Sequence, residues 1–312
     1  MTVSVVVPTV GRESLGSVLT ALSSLPEVIV VDDRPAHTGP LAVPPWVTVV
    51  RGRAAGPAAA RNVGWRAAHG EWVAFLDDDV VPAGDWADRL TGDLAVDVGV
   101  AAVQGRVVVP LPSGRAPTDW ERCTAGLAGA RWITADLAYR RAVLEEVGGF
   151  DERFPRAYRE DADLALRVRR AGYRLERGTR TVTHPVRPEG RWVSLRTQRG
   201  NADDALMRRL HGPRWRAHAE APRGRRARHT AVTAAALLAV ASARSSRFVA
   251  AAAGLAAVAG IAEFAWARIA PGPRTRDEVL TMAVTSALIP PLATAQWVRG
   301  WLAHRKAGPW RA

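Results

Sequence analysis

Over residues 1–110 the chain alternates short valine-rich apolar runs with longer stretches in which apolar residues recur at helical spacing. That alternation predicts a mostly parallel sheet flanked by helices. The runs TVSVVVP (2–8), EVIVVDD (27–33), WVTVVRG (46–52) and EWVAFLDDD (71–79) are nearly continuous in apolar character. Strands covered on both faces read this way. Helices are expected at 12–25, 57–69 and 83–95, a further strand at 97–109, and helices at 139–147 and 160–171. Gly56-Pro57 opens the second of these helices. Proline suits a first turn because the N–H it lacks would find no partner there.

The pattern changes after residue 222. A basic cluster, PRGRRARH (222–229), leads into alanine-rich apolar sequence. AVTAAALLAVASA (231–243) is short for a membrane span, and Arg244 and Arg247 flank the turn after it, so it is expected to be re-entrant or interfacial. FVAAAAGLAAVAGIAEFAWARIA (248–270) and VLTMAVTSALIPPLATAQWVRGWL (279–302) are each long enough to cross, despite Glu263 and the Pro290-Pro291 pair. A helix rising ~1.5 Å per residue covers a ~30 Å hydrocarbon core in about 20 residues. The expected organisation is an α/β domain over 1–222 and a basic segment with two to three membrane helices over 223–312. A soluble helical appendage is the alternative, because alanine is only weakly hydrophobic.

Charge and composition sharpen this picture only in part. A net charge of +13 favours anionic partners, although an arginine- and alanine-rich coding bias gives the same total. The arginines are spread through helices and the segment before the apolar region, with no recognisable nucleic-acid module, so no nucleic-acid partner is expected. A single cysteine, Cys123, excludes an intramolecular disulfide. TVSVVVP has no basic flank and too short an apolar run for a secretory signal, so the N-terminal part is expected in the cytoplasm.

Candidate chemistry concentrates at strand ends. Asp77-Asp78-Asp79 directly follows an apolar strand, and carboxylates there project into the crevice where open α/β sheets bind ligands. Three adjacent acids repel one another unless a cation is shared, and carboxylate oxygens suit Mg²⁺ or Mn²⁺. A solvated acidic turn capping the next helix reads the same way. Asp32-Asp33 ends another strand, where an aspartate accepts from a base N–H or a ribose hydroxyl, or simply closes a turn. Arg61 and Asn62 lie one turn into the helix after Gly56-Pro57, in reach of a phosphate or an acid cluster. Glu160-Asp161 begins a helix, where acids complement the dipole, and where one of them is also placed to act as a general base. His184 stands alone at a strand end, and a lone histidine is more often structural than a ligand.

Seven segments taken in order, VSVVVPTVGR, VIVVDDRP, GPAAARNVGW, WVAFLDDDVVP, ADLAYRR, VGGFDERF and YREDADLALRVRRAGYRL, resemble the family 2 glycosyltransferases of GT-A fold. Together with His184 the resemblance spans about residues 3–185. The resemblance implies a Rossmann-like sheet and inverting transfer of a single sugar from a nucleoside-diphosphate sugar to a hydroxyl acceptor. It implies Pro8, Thr9 and Asp33 around the nucleotide, with Asp33 reading the base, Arg61 near the phosphates or the acid cluster, and Asp78 by the ribose or metal. Asp77 and Asp79 match the DXD motif, with Asp79 the most direct ligand of Mg²⁺ or Mn²⁺ and His184 a further metal or phosphate contact. Asp161 matches the catalytic base, with Glu160 beside it.

Asp136 departs from the family, which often has asparagine on this donor- or acceptor-lining segment; it is expected among the donor-side residues, where the extra carboxylate would alter sugar preference or pair with a basic substrate group. The Gln-x-x-Arg-Trp signature of processive members is missing, since Arg191-Trp192 has Pro188 three residues before the arginine. A membrane anchor, with the basic cluster on the cytoplasmic side, is compatible with a lipid-linked or cell-envelope glycan as acceptor, although an anchor can also serve proximity alone. A nucleotidyltransferase with a similar metal site, or a catalytically silent membrane-anchored binding protein, are the competing readings.

Overall fold

The computed structural model describes residues 1–36 and 39–310. In chain order the strands are β1 (Val3–Thr9), β2 (Val28–Asp32), β3 (Thr48–Arg51), β4 (Trp72–Leu76), β5 (Val81–Pro82), β6 (Val100–Val108), β7 (Asp136–Arg140) and β8 (Arg174–Thr183). The helices of the first half are α1 (Leu15–Ala21), α2 (Pro57–Ala67), α3 (Trp86–Asp93), α4 (Asp119–Ala125), α5 (Arg141–Val147) and α6 (Glu160–Arg170). Those of the second half are α7 (Val193–Arg196), α8 (Gly200–His211), α9 (Trp215–His218), α10 (Arg226–Ser242), α11 (Arg247–Ile269) and α12 (Arg276–Ala303).

The strands form one eight-stranded sheet in the order β3-β2-β1-β4-β7-β6-β8-β5. β3, β2, β1 and β4 run parallel, β7 is antiparallel to both β4 and β6, and β6 runs parallel to β8. The carboxyl ends of β1, β2, β4 and β8 therefore share one edge, and β5 pairs with the end of β8 there. The sheet is mixed, as one reversed strand in its centre requires.

Side chains on a strand alternate between faces, so one run fills two cores. Val5 and Val7 pack beneath α1 and α3 with Leu19, Trp72, Trp86 and Leu90. Val6, between them, faces α2, α5 and α6 with Ile29, Phe75, Tyr139 and Leu164. A third cluster joins Phe154 and Leu166 to Leu206, Leu210 and Trp215, fastening α8 and α9 to the α6 side.

Two expectations needed adjustment. The run at 46–52 forms only the four-residue edge strand β3, whose positions are exposed or half-buried rather than covered on both faces. The helix expected at 139–147 begins at Arg141, because Tyr139 and Arg140 still pair with β4 in β7. At the C-terminus, α11 and α12 are long and apolar enough to cross a membrane by length and composition.

Candidate active site

The turn after β1 is built around Asp78, which is 1% exposed. Thr9 Oγ1 donates to Asp78 Oδ2 at 2.6 Å, Arg12 pairs with Oδ1, and Ser14 Oγ donates to the Asp78 carbonyl at 2.6 Å. Gly11 N–H donates to Thr9 Oγ1 at 2.9 Å, closing the turn. Asp78 thus welds the β4 end to the β1–α1 loop, with half-buried Pro8 at the rim. Asp33 does similar work for the loop after β3. Its carboxylate accepts from the N–H groups of Ala54 at 2.7 Å and Gly56 at 3.3 Å. A side chain at Gly52 would strike that carboxylate, which explains the glycine. An ionised carboxyl has about four acceptor positions, so Asp33 retains capacity for a further donor.

Arg61, 2% exposed, joins the two ends of the site. Nη2 donates to Asp77 Oδ1 at 2.8 Å, and Nη1 donates to Glu160 Oε1 at 2.9 Å. The planar guanidinium fork fixes two carboxylates at once, which an ammonium cannot do with the same geometry. Asn62, next in the helix, is a structural lock. Its amide donates to the Phe150 carbonyl and to Glu152, both at 2.9 Å, and its oxygen accepts from Phe150 N–H at 2.8 Å. The loop at 148–154 is thereby tied to α2.

The start of α6 is held from behind. Arg159 enters it with φ 79°, a left-handed conformation that residues with a Cβ rarely adopt and that persists only where the surroundings enforce it. Its guanidinium lies 4.3 Å from the Tyr158 ring centre and 4.9 Å from that of Trp215, and donates to Asp204 at 2.8 Å. Deeper in α6, Asp163 accepts from Arg167 at 2.7 Å and faces His211 Nε2 of α8 at 2.7 Å. Glu160 is buried, whereas Asp161 is half-buried, accepts from the Ala162 N–H at 2.7 Å and is the more accessible residue of the pair.

The local field is strongly acidic. Burial, followed by the neighbouring Asp161 charge, pushes Glu160 up to about 8. Burial also raises Asp161, with Asp77 adding to it, against the pull of Arg61 and Arg159. Asp79 is raised by burial and by Asp77, opposed by His184 and Arg187.

Asp79 lies across from β8. Its Oδ1 is 3.7 Å from His184 Nε2, and its Oδ2 is 3.1 Å from Arg187 Nη2. Among the described residues no three His, Cys, Asp or Glu side chains converge as a preformed metal cage. Asp77 is instead turned onto Arg61, and Asp79 onto Arg187. A cation such as Mg²⁺ binds through one or two carboxylates plus substrate phosphates, so Asp79 and Asp77 would hold it only with the donor's phosphates supplying further oxygens. The oxygen and imidazole donors at Asp79, Asp77 and His184 also suit Mn²⁺.

Asp136 is placed differently from the expectation. It opens β7 at this edge, opposite Leu76, but is 0% exposed. Trp86 Nε1 and Arg180 Nε each donate to it at 2.8 Å, and a side chain at Gly105 would collide with it. The carboxylate is the buried counter-ion of Arg180 rather than a group facing a ligand. Sequence reasoning overlooked Arg12 and Arg187. Arg12 ends the quoted segment VSVVVPTVGR, and Arg187 follows His184 by three residues, but neither stands out from many other arginines.

A mixed sheet with acid clusters along one carboxyl edge defines an α/β protein of the GT-A type. The chain belongs to glycosyl transferase family 2, whose model matches residues 4–163. The pre-mycofactocin glycosyltransferase of Mycobacterium tuberculosis is 33% identical over 162 residues, covering 47% of this chain and 34% of that protein. The match thus spans about a third of the length of the curated relative. Among solved structures, the mannosyltransferase PcManGT from Pyrobaculum calidifontis, in complex with GDP-Man and Mn²⁺, matches with a TM-score of 0.54 and 26% identity. That match covers 92% of this chain and 86% of PcManGT. GalNAc-T7, solved with UDP, GalNAc and Mn²⁺, shares the fold with a TM-score of 0.50 and 18% identity, over 71% of this chain and 55% of that one.

Proposed function

We propose that residues 1–222 form the catalytic unit of an inverting glycosyltransferase that moves one sugar from a nucleoside-diphosphate sugar to a hydroxyl acceptor. The observation that carries this reading is the Arg61 bridge, which couples Asp77 of the DXD motif to Glu160, beside the half-buried Asp161. Family membership and the likeness to a mannosyltransferase bound to GDP-Man and Mn²⁺ support it.

Asp161 accepts the proton of the acceptor hydroxyl as its oxygen attacks the anomeric carbon. The bond to the diphosphate breaks on the opposite face, so the configuration inverts. Asp33, Pro8 and Thr9 border the nucleotide, while Arg12 and Arg187, paired with Asp78 and Asp79, supply positive charge for the diphosphate. A Mg²⁺ or Mn²⁺ ion held by Asp79, with Asp77 and His184 beside it, would neutralise charge on the departing diphosphate. Arg61 and Glu160 position the base and the acid motif, and the sheet edge sets their geometry. A cytoplasmic site on a membrane-anchored chain favours a lipid-linked or envelope glycan as acceptor.

The test is a panel of nucleotide sugars, headed by GDP-mannose, with purified full-length protein and Mg²⁺ or Mn²⁺. Release of a nucleoside diphosphate with one donor supports the reading. Release of pyrophosphate would instead identify a nucleotidyltransferase, and no turnover or donor-induced thermal shift across the panel would favour a silent binding protein.

A further inference from the structure

The three C-terminal helices do not have equal relations to the catalytic domain. α12 is fastened to it at both ends. At its start, Glu278 Oε1 accepts from the Asp119 N–H at 2.9 Å. At its finish, Trp301 lies under the Arg209 guanidinium, 3.4 Å from ring centre to carbon, and Arg209 also donates to the Trp301 carbonyl at 3.2 Å. Gly300 touches α8 so closely that a Cβ would lie 2.5 Å from the Ala202 Cα. The stretch from Glu278 to Trp301 is about 35 Å long at ~1.5 Å per residue, so α12 lies along the domain. A helix crossing a bilayer puts its ends on opposite sides of a ~30 Å core, which this tethering forbids.

α10 and α11 behave oppositely. They pack antiparallel as a hairpin whose base crosses α12: Thr233 of α10 meets Thr294, and Arg268 of α11 donates to Thr285 and Ser286. These contact points lie about 13 Å apart along α12, so the arms run across it and outward from the domain. The hairpin is packed inside out for water. Its seam holds small residues, with Ala253 and Ala257 buried and Gly254 facing Ala239. Its large apolar side chains point outward, with Leu237 66%, Val240 78%, Phe248 84% and Leu255 71% exposed. Small residues inside and large ones outside are how helices pair in lipid.

Charge brackets the same surface. Residues 230–243 and 248–262 carry no Asp, Glu, Lys or Arg. At the base Glu263 pairs with Arg225 and Arg228, and Arg223, Arg225 and Arg228 line an open hollow. At the tip stand Arg244 and Arg247. Each uncharged arm is about 21 Å long, and arginine side chains extending outward at both ends make up the remainder of a ~30 Å core.

We propose that the two membrane spans are α10 and α11, not α11 and α12, and that α12 stays on the catalytic side, strapping that domain to the bilayer surface. The occupant of the exposed hairpin surface is a bilayer, with anionic headgroups at the arginine-lined base. The exposed stripe Leu280, Val284, Leu288, Val298 and Leu302 of α12 faces away from the domain, as a helix lying in the interface requires.

Single cysteines in a Cys123→Ser background decide the topology of the full chain in membranes. Ser113→Cys marks the catalytic domain, Ser245→Cys the hairpin tip and Pro271→Cys the α11–α12 turn; all three positions are exposed. Labelling with a membrane-impermeant maleimide from each side should place Ser245 opposite Ser113 and Pro271 on the same side as Ser113. Pro271 opposite Ser113 would overturn the proposal in favour of α11 and α12 as the spans. All three on one side would overturn it as well, and release by carbonate in that case would identify a soluble appendage. A hairpin that pairs two copies in detergent-free buffer, seen as a dimer by sedimentation, also counts against a lipid-facing surface.

Discussion

Arg61 holds Asp77 at 2.8 Å while itself almost wholly buried, so the position of the acid motif is set by a helix outside the strand that carries it. Glu160 on the other arm of the guanidinium makes this a two-ended clamp. Arg61→Lys keeps the charge but loses the fork. The expected result is a fall in kcat of about 10²-fold, as for small misplacements of reacting groups, with donor binding by calorimetry much less affected. A kcat within twofold of the parent would show that the clamp does not position the site.

The two carboxylates at the start of α6 should separate by function. Asp161→Asn removes the proposed proton acceptor and is expected to lower kcat by about 10²–10⁴-fold while nucleotide affinity is kept. Glu160→Gln should cost less, because Glu160 is buried on Arg61 rather than facing the open edge. Steady-state rates of both variants check this, and the reverse ranking would exchange the roles.

Burial raises Asp161 above the ordinary carboxylate range, and a base works only when ionised. Activity should therefore rise with pH, and the acid limb of kcat/KM should lie clearly above about pH 4, the ordinary value for an aspartate. The residual activity of Asp161→Asn should lack that limb. An acid limb at the ordinary value in the parent enzyme would contradict the burial argument.

Stability should depend on a different acid. Asp163 is held below its ordinary range, burial being outweighed by His211 and Arg167. A depressed carboxyl stabilises the fold above its unfolded value, and that contribution is lost as pH falls through the folded one. Removing one partner of such a buried pair typically costs about 3–5 kcal/mol. Asp163→Asn should show that loss in urea unfolding at pH 7, and the variant should lose less further stability on acidification than the parent.

Chelation offers the last check. EDTA should abolish turnover, and Mn²⁺ or Mg²⁺ should restore it. Asp79→Asn should raise the metal concentration needed for half-maximal rate, whereas Asp136→Asn, at the buried Arg180 pair, should leave that concentration unchanged and lower stability instead.

Much of the catalytic half was legible because its signals are local. A strand of valines ending in Asp77-Asp78-Asp79 places carboxylates at a sheet edge whatever surrounds it, and Glu160-Asp161 begins a helix by its own dipole preference. The partners of these acids were not legible. Arg61 meets Glu160 across 99 positions of sequence, and Asp136 meets Arg180 across 44. No periodicity encodes such pairs, since only the packed sheet and helices bring them together.

The same division holds at the C-terminus. The sequence by itself determined that apolar helices follow a basic cluster after residue 222, because length and composition are properties of a segment. Which helices face outward was decided only by tertiary packing. α11 and α12 are both long and apolar enough to cross a bilayer, yet 11% of the apolar 18-residue stretch of one and 39% of that of the other is buried. The difference arises from a glycine at 300 that admits α8 and from Asp119 and Arg209 holding the two ends of α12, contacts that no reading of a single segment contains.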